Sequence, residues 1–480
     1  MITSFPITMR APIVISCLWA LYFAPYVRAQ PAQTTRPHIV LFIADDFTWH
    51  DSEPYGATDV RTPNMARLAK EGMRFDRAFA ASPTCTPSRA AIYTGMFPFR
   101  NGAHPNHSLI KEGVRTLPDY FKELGYRVVL AGKTHVGPRE QFAFEYLKGS
   151  NFMPEGKKAV LWTELDTGVV DKLLAEHDKA KQPLCLLVCT HSPHVFWMDA
   201  KGYDAKDVKV PPYLIDTPET RAMRAKYYTE VTHMDAQLGG VMTSLDKHGY
   251  ADNAMLIFTA DQGAQWPMSK WTLYDAGIRA PLIVRWPGQV KPASTSGAVV
   301  SLIDLLPTML NAAGGESPKD VDAISFLPVL RGQTDAHREE TFAINTGDRA
   351  MNRSPMRAVR TAKYKYILNL KPETPFKTHI TDAGGEDGLF YWRSWEKLAA
   401  EGNERAKAAI ARYRNRPAEE LYDVEVDPYE LKNLAADPAH AADLVALRQT
   451  LKDWRLQQGE DLSKVPMPED ARMGEVPYAQ

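Results

Sequence analysis

His38-Ile-Val-Leu-Phe-Ile-Ala44, followed at once by Asp45-Asp46, is the stretch on which the fold turns. It is short, apolar beyond its first residue and closed by two carboxylates, the pattern of a β-strand covered on both faces. Three further runs repeat it: Tyr126–Ala131 before Lys133-Thr-His135, Leu184–Cys189 before His191-Ser-Pro-His194, and Met255–Ala260 before Asp261-Gln262-Gly263. Helical patterns lie between them. The clearest starts at Thr217-Pro218-Glu219, a cap with proline at the first helical position, and carries Tyr227, Val231, Met234, Leu238, Val241 and Leu245 as one apolar stripe. Strands alternating with helices predict an α/β fold with a large, mostly parallel sheet flanked by helices. In such sheets the carboxyl ends of the strands line the ligand crevice, so the polar residues after the four runs are expected to converge.

Working outward, the N-terminus reads differently. Arg10, the apolar run Ala11–Ala24 and the small-residue site Val27-Arg28-Ala29 predict a signal peptide over residues 1–29, cleaved before Gln30. The mature chain is then secreted or periplasmic, without stable membrane insertion. Of four cysteines, Cys17 leaves with the signal, and Cys185 and Cys189 lie four apart on one strand, too far for a disulfide. Cys85 remains as a lone thiol in an exported protein. The net charge of −1 gives no reason to expect nucleic acid as a partner.

After about residue 345 the pattern changes to short strands (Met356–Arg360, Lys363–Leu368), a charged helix over Trp395–Tyr413, a strand at Glu420–Asp423 and a last helix over Ala441–Gln457. This predicts a catalytic domain over 30–345 and a smaller C-terminal α+β domain over 346–480.

The chemistry centres on Cys85-Thr-Pro-Ser-Arg89. Pro87 and Ser88 suit a first helical turn, which puts Cys85 at a helix N-terminus, where exposed N–H groups and the dipole favour an anion. A reactive thiolate, an anion site and a plain capped helix all fit that reading. Asp45, Asp46 and Asp261 are hard oxygen donors, and Gln262 offers a fourth oxygen; alone such carboxylates also read as solvated loop residues, but at the ends of two buried strands the set suits calcium rather than a soft metal. Lys133 and His135, two apart, would share one face of an extended segment.

Cys-x-Pro-x-Arg followed by a run ending in Thr94-Gly95 resembles the signature of the type I, formylglycine-dependent sulfatases. Gly125–His135 resembles that family's second motif, and Asp45-Asp46, Asp261-Gln262 and Lys270–Gly277 correspond to further elements, so the likeness spans nearly the whole mature chain. The resemblance implies an alkaline-phosphatase-like sulfatase fold, bound calcium held by Asp45, Asp46, Asp261, Gln262 and residue 85, and a maturation enzyme that oxidises Cys85 to formylglycine. It implies roles as well. The hydrated aldehyde, held by Arg89, Lys133 and calcium, attacks sulfur to give an enzyme-bound sulfate ester. His191 protonates the leaving atom, and His135 takes a proton from the second hydroxyl. Lys270 binds sulfate, and His194, with His104 and His107, stands as a candidate for the substrate pocket. Relatives carry Asn or His where this chain has Gln262.

Within the family, Gly132–Pro138, His191–His194, Val210–Arg221, Pro355–Arg360, Asn369–Phe376 and Glu420–Asp423 resemble the heparan N-sulfatases, although Lys270 stands in place of an arginine. The substrate implied is a sulfated carbohydrate, as an N-sulfate (sulfamate) or a sulfate ester. The alternatives are an O-sulfatase acting on another polysaccharide such as an algal one, a formylglycine-dependent phosphodiesterase or phosphonate hydrolase, and a non-catalytic glycan binder.

Overall fold

Each of the four apolar runs is a strand of one sheet, and every residue of three of them is buried. A computed structural model describes residues 1–4, 36–155, 157, 162–179, 181–382 and 388–478. The signal-peptide reading falls outside the described residues except for the first four. In chain order the strands are β1 (His38–Ala44), β2 (Met73–Phe79), β3 (Arg127–Gly132), β4 (Glu145–Tyr146), β5 (Asn151–Phe152), β6 (Glu164–Leu165), β7 (Leu184–Cys189), β8 (Ala254–Ala260), β9 (Arg279–Arg285) and β10 (Ser294–Ser301).

Eight of them form a mixed sheet in the order β10-β2-β9-β8-β1-β7-β3-β4. The four strands read from the sequence are adjacent and mutually parallel at its centre. The sheet departs from the all-parallel pattern at β9, which runs antiparallel to both β2 and β8. Register sets the site. Ala44 lies opposite Ala260, Ile43 opposite Cys189, and Cys189 opposite Gly132, so all four strands end at one level. Asp45, Asp261, Thr190 and Lys133 therefore leave the sheet side by side. Gly132 has φ +91, and a Cβ there would lie 2.0 Å from the carbonyl oxygen of Cys189. Only glycine lets β3 turn toward the site this close to its neighbour.

The long helix Pro218–Lys247 flanks the sheet, with Thr217 capping it through the N–H of Thr220. Its predicted stripe is completely buried. The smaller C-terminal α+β part is built on an antiparallel sheet of β11 (Glu340–Asn345), β12 (Met356–Thr361), β13 (Tyr364–Asn369) and β14 (Glu419–Asp423). The helix Ala441–Gln457 packs on it, with Trp454 stacked on Phe342 at 4.5 Å. The predicted helix over Trp395–Tyr413 is instead two, Leu389–Ala400 and Glu404–Arg414. Gly402, at φ +98, breaks the turn between them, and Asn403 caps the second. Cys85, Cys185 and Cys189 are free and buried. Among the described residues no helix is long and apolar enough to cross a membrane.

Candidate active site

Cys85 opens the helix Cys85–Thr94, all of whose residues are buried. The N–H of Thr86 is held by Asn106 Oδ1 at 3.2 Å, and Ser88 Oγ donates to the Asp261 carbonyl at 2.6 Å. These bonds tie the helix N-terminus to the loop that carries Asn106 and to the end of β8. The Cys85 sulfur lies 3.6 Å from Asp45 Oδ1, 3.8 Å from Asp46 Oδ1 and 3.1 Å from Gln262 Nε2. Burial raises the thiol's pKa far above its ordinary value, although Lys133 and Lys270 oppose this. An unmodified Cys85 is thus held as a neutral thiol, a poor nucleophile. The sequence alone left the reactive thiolate open; the environment disfavours it.

Cations and carboxylates alternate around this atom. Lys133 Nζ pairs with Asp45, and Lys270 Nζ pairs with Asp46. Arg89 donates through Nε to Asp261 Oδ2 at 2.8 Å and has Nη2 3.6 Å from Asp45. Burial alone would raise the pKa of Asp45, but Lys133, His194, Arg89 and Lys270 hold it well below the usual carboxylate range. Burial pushes Asp261 the other way, to about 7 despite Arg89. The backbone N–H groups of Asp46 and Gln262 both donate to Asp261 Oδ1, at 3.1 and 2.9 Å, locking that carboxylate between the strand ends.

The donor set fits a hard cation. Ligand atoms of Asp45, Cys85 and Asp261 lie within 4.8 Å of one another, as do those of Asp46, Cys85 and His194. Gln262 Oε1 is buried without a hydrogen-bond partner, and so are both terminal nitrogens of Arg89. Unpaired buried polar atoms are costly, and this many around one point suit a bound ion and an anionic substrate.

The histidines divide. His135 Nε2 lies 3.1 Å from His107 Nδ1, and His107 faces Asp348 at 3.6 Å. His191 Nε2 meets Asn151 Oδ1 at 2.8 Å. His194 Nε2 is 3.1 Å from Lys270 Nζ and 3.5 Å from Asp46. Burial lowers the pKa of His191 to about 3 and of His194 to about 4, and takes His135 well below its ordinary value. The Nδ1 atoms of His135 and His191 are buried and unpartnered. Two expectations need correction. The Lys133–His135 segment is not extended, because His135 has φ +50 and its ring turns to His107, although Lys133 Nζ and the His135 ring both still stand against Tyr478. His104 does not reach the site; it packs beside Phe99 and lines a different cavity with Glu460.

A cavity of about 400 Å³ opens over Cys85, lined by His107, His135, His194, Lys270, Trp271, Asp348 and Tyr478 among others. Asn106, Asn151, Asp348 and Tyr478 were not singled out from the sequence. Asn106 sits one residue from the candidate His107 and was within reach; Tyr478 carries no local signal.

Residues 37–315 match the family described as Sulfatase. The chain belongs to the sulfatase family. It is an enzyme of the sulfatase and phosphoesterase hydrolase class, with the alkaline-phosphatase-like sulfatase fold and a cysteine of the type converted to formylglycine. Residues 265–377 of this sulfatase also match the segment described as N-sulphoglucosamine sulphohydrolase, C-terminal. It is 32% identical to an ulvan-active sulfatase of Formosa agariphila, covering 90% of this chain and 82% of that one. It is 28% identical to the human N-sulphoglucosamine sulphohydrolase, covering 93% and 94%. Among solved structures, a protein in complex with its substrate D-glucosamine-2-N,6-O-disulfate superposes with a TM-score of 0.67 at 23% identity, over 90% of this chain and 99% of that one. The phosphonate monoester hydrolase of Silicibacter pomeroyi gives 0.66 at 21%, over 88% and 96%. At these identities both likenesses concern the fold.

Proposed function

We propose that this sulfatase removes sulfate from a sulfated glycan, with N-sulfoglucosamine as the preferred sugar, and that it works outside the cytoplasm after loss of residues 1–29. The observation that carries the reading is the convergence on residue 85 of two lysines, an arginine and three carboxylates beneath one cavity. Such a site is built to hold a tetrahedral anion and to offset the charge that grows on its oxygens. The C-terminal match and the near full-length similarity to the human enzyme support the N-sulfated sugar.

Asp45, Asp46, Asp261 and Gln262 would hold calcium, with residue 85 beside it. The bound ion and the formylglycine made from Cys85 supply a Lewis acid and a hydroxyl nucleophile. The chain's own residues do the rest. Arg89 orients Asp261 through Nε, and its guanidinium, with Nη2 3.6 Å from Asp45, adds positive charge beside the carboxylates. Lys133 and Lys270 bind the sulfuryl oxygens. His191 exchanges a proton with the leaving atom through Nδ1, since Nε2 is taken by Asn151. His135 is the second proton carrier, again through Nδ1, with Nε2 fixed by His107.

A second reading, an O-sulfatase on an algal polysaccharide, is favoured by the 32% identity to the ulvan-active enzyme. Sulfate release from N-sulfoglucosamine, 6-O-sulfoglucosamine and ulvan oligosaccharides decides between them, with a phosphodiester and a phosphonate ester assayed in parallel. Fastest turnover on N-sulfoglucosamine is expected. Activity on an O-sulfated sugar alone moves the assignment to the second reading, and faster phosphoryl turnover removes both.

A further inference from the structure

The segment Arg472–Tyr478 lies across the mouth of the site. Its path is fixed by main-chain bonds to the two loops that carry the histidines. The N–H of Leu109 donates to the Arg472 carbonyl at 2.8 Å, and Ser108 pairs with Met473 in an antiparallel bridge. Further on, His135 N–H donates to the Pro477 carbonyl at 2.7 Å and Thr134 N–H to the Tyr478 carbonyl at 3.1 Å. The contact is close on both sides. A Cβ on Gly474 would lie 2.5 Å from Leu109 Cδ1, and one on Gly137 would lie 3.0 Å from the Glu475 carbonyl oxygen. The strap therefore grips the residue before and the residue at His135, whose left-handed backbone turns the ring toward His107.

At the end of this strap Tyr478 points into the site. Its hydroxyl donates to Asp45 Oδ2 at 3.4 Å, and Lys133 Nζ stands 4.3 Å from the centre of its ring. The rings of His135, His191 and His194 surround it at 5.1, 5.5 and 6.0 Å. Val476 and Tyr478 of the strap line the cavity over Cys85 together with Val195, Trp271 and His379. A groove for a sugar inside a polysaccharide must be open in two directions, so that the chain can enter and leave. Here the Tyr478 ring is part of the cavity wall, and about 400 Å³ is the small end of ligand-pocket sizes.

Resting on the glycan-sulfatase reading above, we propose that Tyr478 is a specificity-determining residue, its ring walling the pocket so that it takes a sulfated sugar at the end of a chain and excludes one in the interior. The sugar ring meets an aromatic face, which suits the apolar C–H surface of a pyranose. Nothing in the ring's role requires the hydroxyl.

The experiment compares wild type, Tyr478→Phe and Tyr478→Ala, each checked by mass spectrometry for conversion of Cys85. Three substrates are used: a chain-terminal sulfated disaccharide, a longer oligosaccharide sulfated only at an internal sugar, and 4-nitrophenyl sulfate. The quantity read is kcat/KM for each and their ratios. Wild type is expected to prefer the terminal over the internal sugar at least ~100-fold. In Tyr478→Ala that ratio falls at least ~10-fold, with most of the change in KM, while Tyr478→Phe keeps the wild-type ratio. An unchanged terminal-to-internal ratio in a converted, folded Tyr478→Ala overturns the proposal. A uniform gain on all three substrates also overturns it, and makes the tyrosine a plug instead. If wild type releases sulfate from none of them, the glycan-sulfatase reading fails first. If Tyr478→Ala does not fold, Tyr478→Val, whose short side chain removes most of the wall, takes its place with a loss of ratio in the same direction.

Discussion

Two buried clusters of charge sit five residues apart on one stretch of chain and have opposite characters. Lys270 enters the cluster around Cys85, while Asp275 enters another, where Arg360 meets it at 3.0 Å, Lys365 pairs with it, and Lys365 also meets Glu430 at 2.9 Å. In the second cluster every charged head has a partner of opposite sign from a different element, and the Asp275 N–H itself donates to Glu430 at 2.5 Å. In the first, Arg89 Nη1, Gln262 Oε1 and two histidine Nδ1 atoms lack hydrogen-bond partners, and a cavity opens over Cys85. The difference separates a site from a staple. Charge that is matched internally fastens β12 and β13 to the loop after β8, whereas charge left partly unmatched waits for something to bind. Gly277 is what lets the two lie so close, because a Cβ there would be 2.3 Å from the carbonyl oxygens of both Ser269 and Thr272.

The sharpest way to break the comparison is to exchange its expected consequences, activity for one cluster and stability for the other. Cys85→Ala should lower kcat for sulfate release by about 10⁴-fold or more, since the nucleophile is gone, while thermal unfolding stays within about 2 °C of wild type. A variant that keeps a tenth of the activity would mean that residue 85 is not the nucleophile. Asp275→Asn should do the reverse. It leaves Arg360 and Lys365 short of a buried counter-charge, at a cost of about 3–5 kcal/mol in denaturant unfolding, with turnover per folded molecule little changed. The same cluster predicts an acid limb. Burial alone would raise the Asp275 pKa, but Arg360 and Lys365 hold it far below the usual range. A carboxyl depressed in the folded state contributes stability that is complete above its unfolded pKa of about 3.9 and is lost as pH falls further. Urea midpoints for wild type should therefore drop below about pH 4, and those of Asp275→Asn should drop less.

Lys133→Ala comes next in size. Removing one cation from the sulfuryl oxygens should lower kcat by about 10²–10³-fold, a loss of the kind seen when one charge-stabilising donor is deleted. It should not destabilise the fold in proportion, because Asp45 retains Arg89 and His194 nearby. Equal losses of stability and activity would place Lys133 with the staples.

How much of this was legible from residues alone follows from range. The strand ends were readable because each apolar run announces itself locally, and parallel order brings the ends together. Lys270 and Asp275 were both visible as one motif, but nothing local says that one faces the cavity and the other the second sheet. The break at Gly402 was legible in principle and was overridden by the helical composition on either side. Tyr478 was not legible at all: its partners, Asp45, Lys133 and His191, lie hundreds of positions away, and only the folded chain puts them in contact.

The smallest effect expected is also the one that tests how the unmatched cluster is completed. Gln262 places Nε2 against Asp46 Oδ1 at 2.5 Å and Cys85 Sγ at 3.1 Å, and leaves Oε1 buried without a hydrogen-bond partner. The two ends of an amide are assigned from their surroundings, and exchanging them leaves the side chain's path unchanged while presenting an oxygen to the same point. A carboxylate and a thiol derivative leave room there for a cation, whereas two acceptors facing each other without one repel. Calcium should thus raise the unfolding temperature of wild type, and chelation should lower it again, by about 2.7 kcal/mol of stabilisation at a hundredfold excess over Kd. Gln262→Asn, one methylene shorter, should weaken calcium by about 10-fold and shrink that shift by about 1.4 kcal/mol without abolishing it. Calorimetric titration of the apoprotein measures this without any turnover. A Gln262→Asn protein that binds calcium as tightly as wild type would show that the amide serves only to hold Asp46 in place, and would move residue 262 from the open cluster to the matched one.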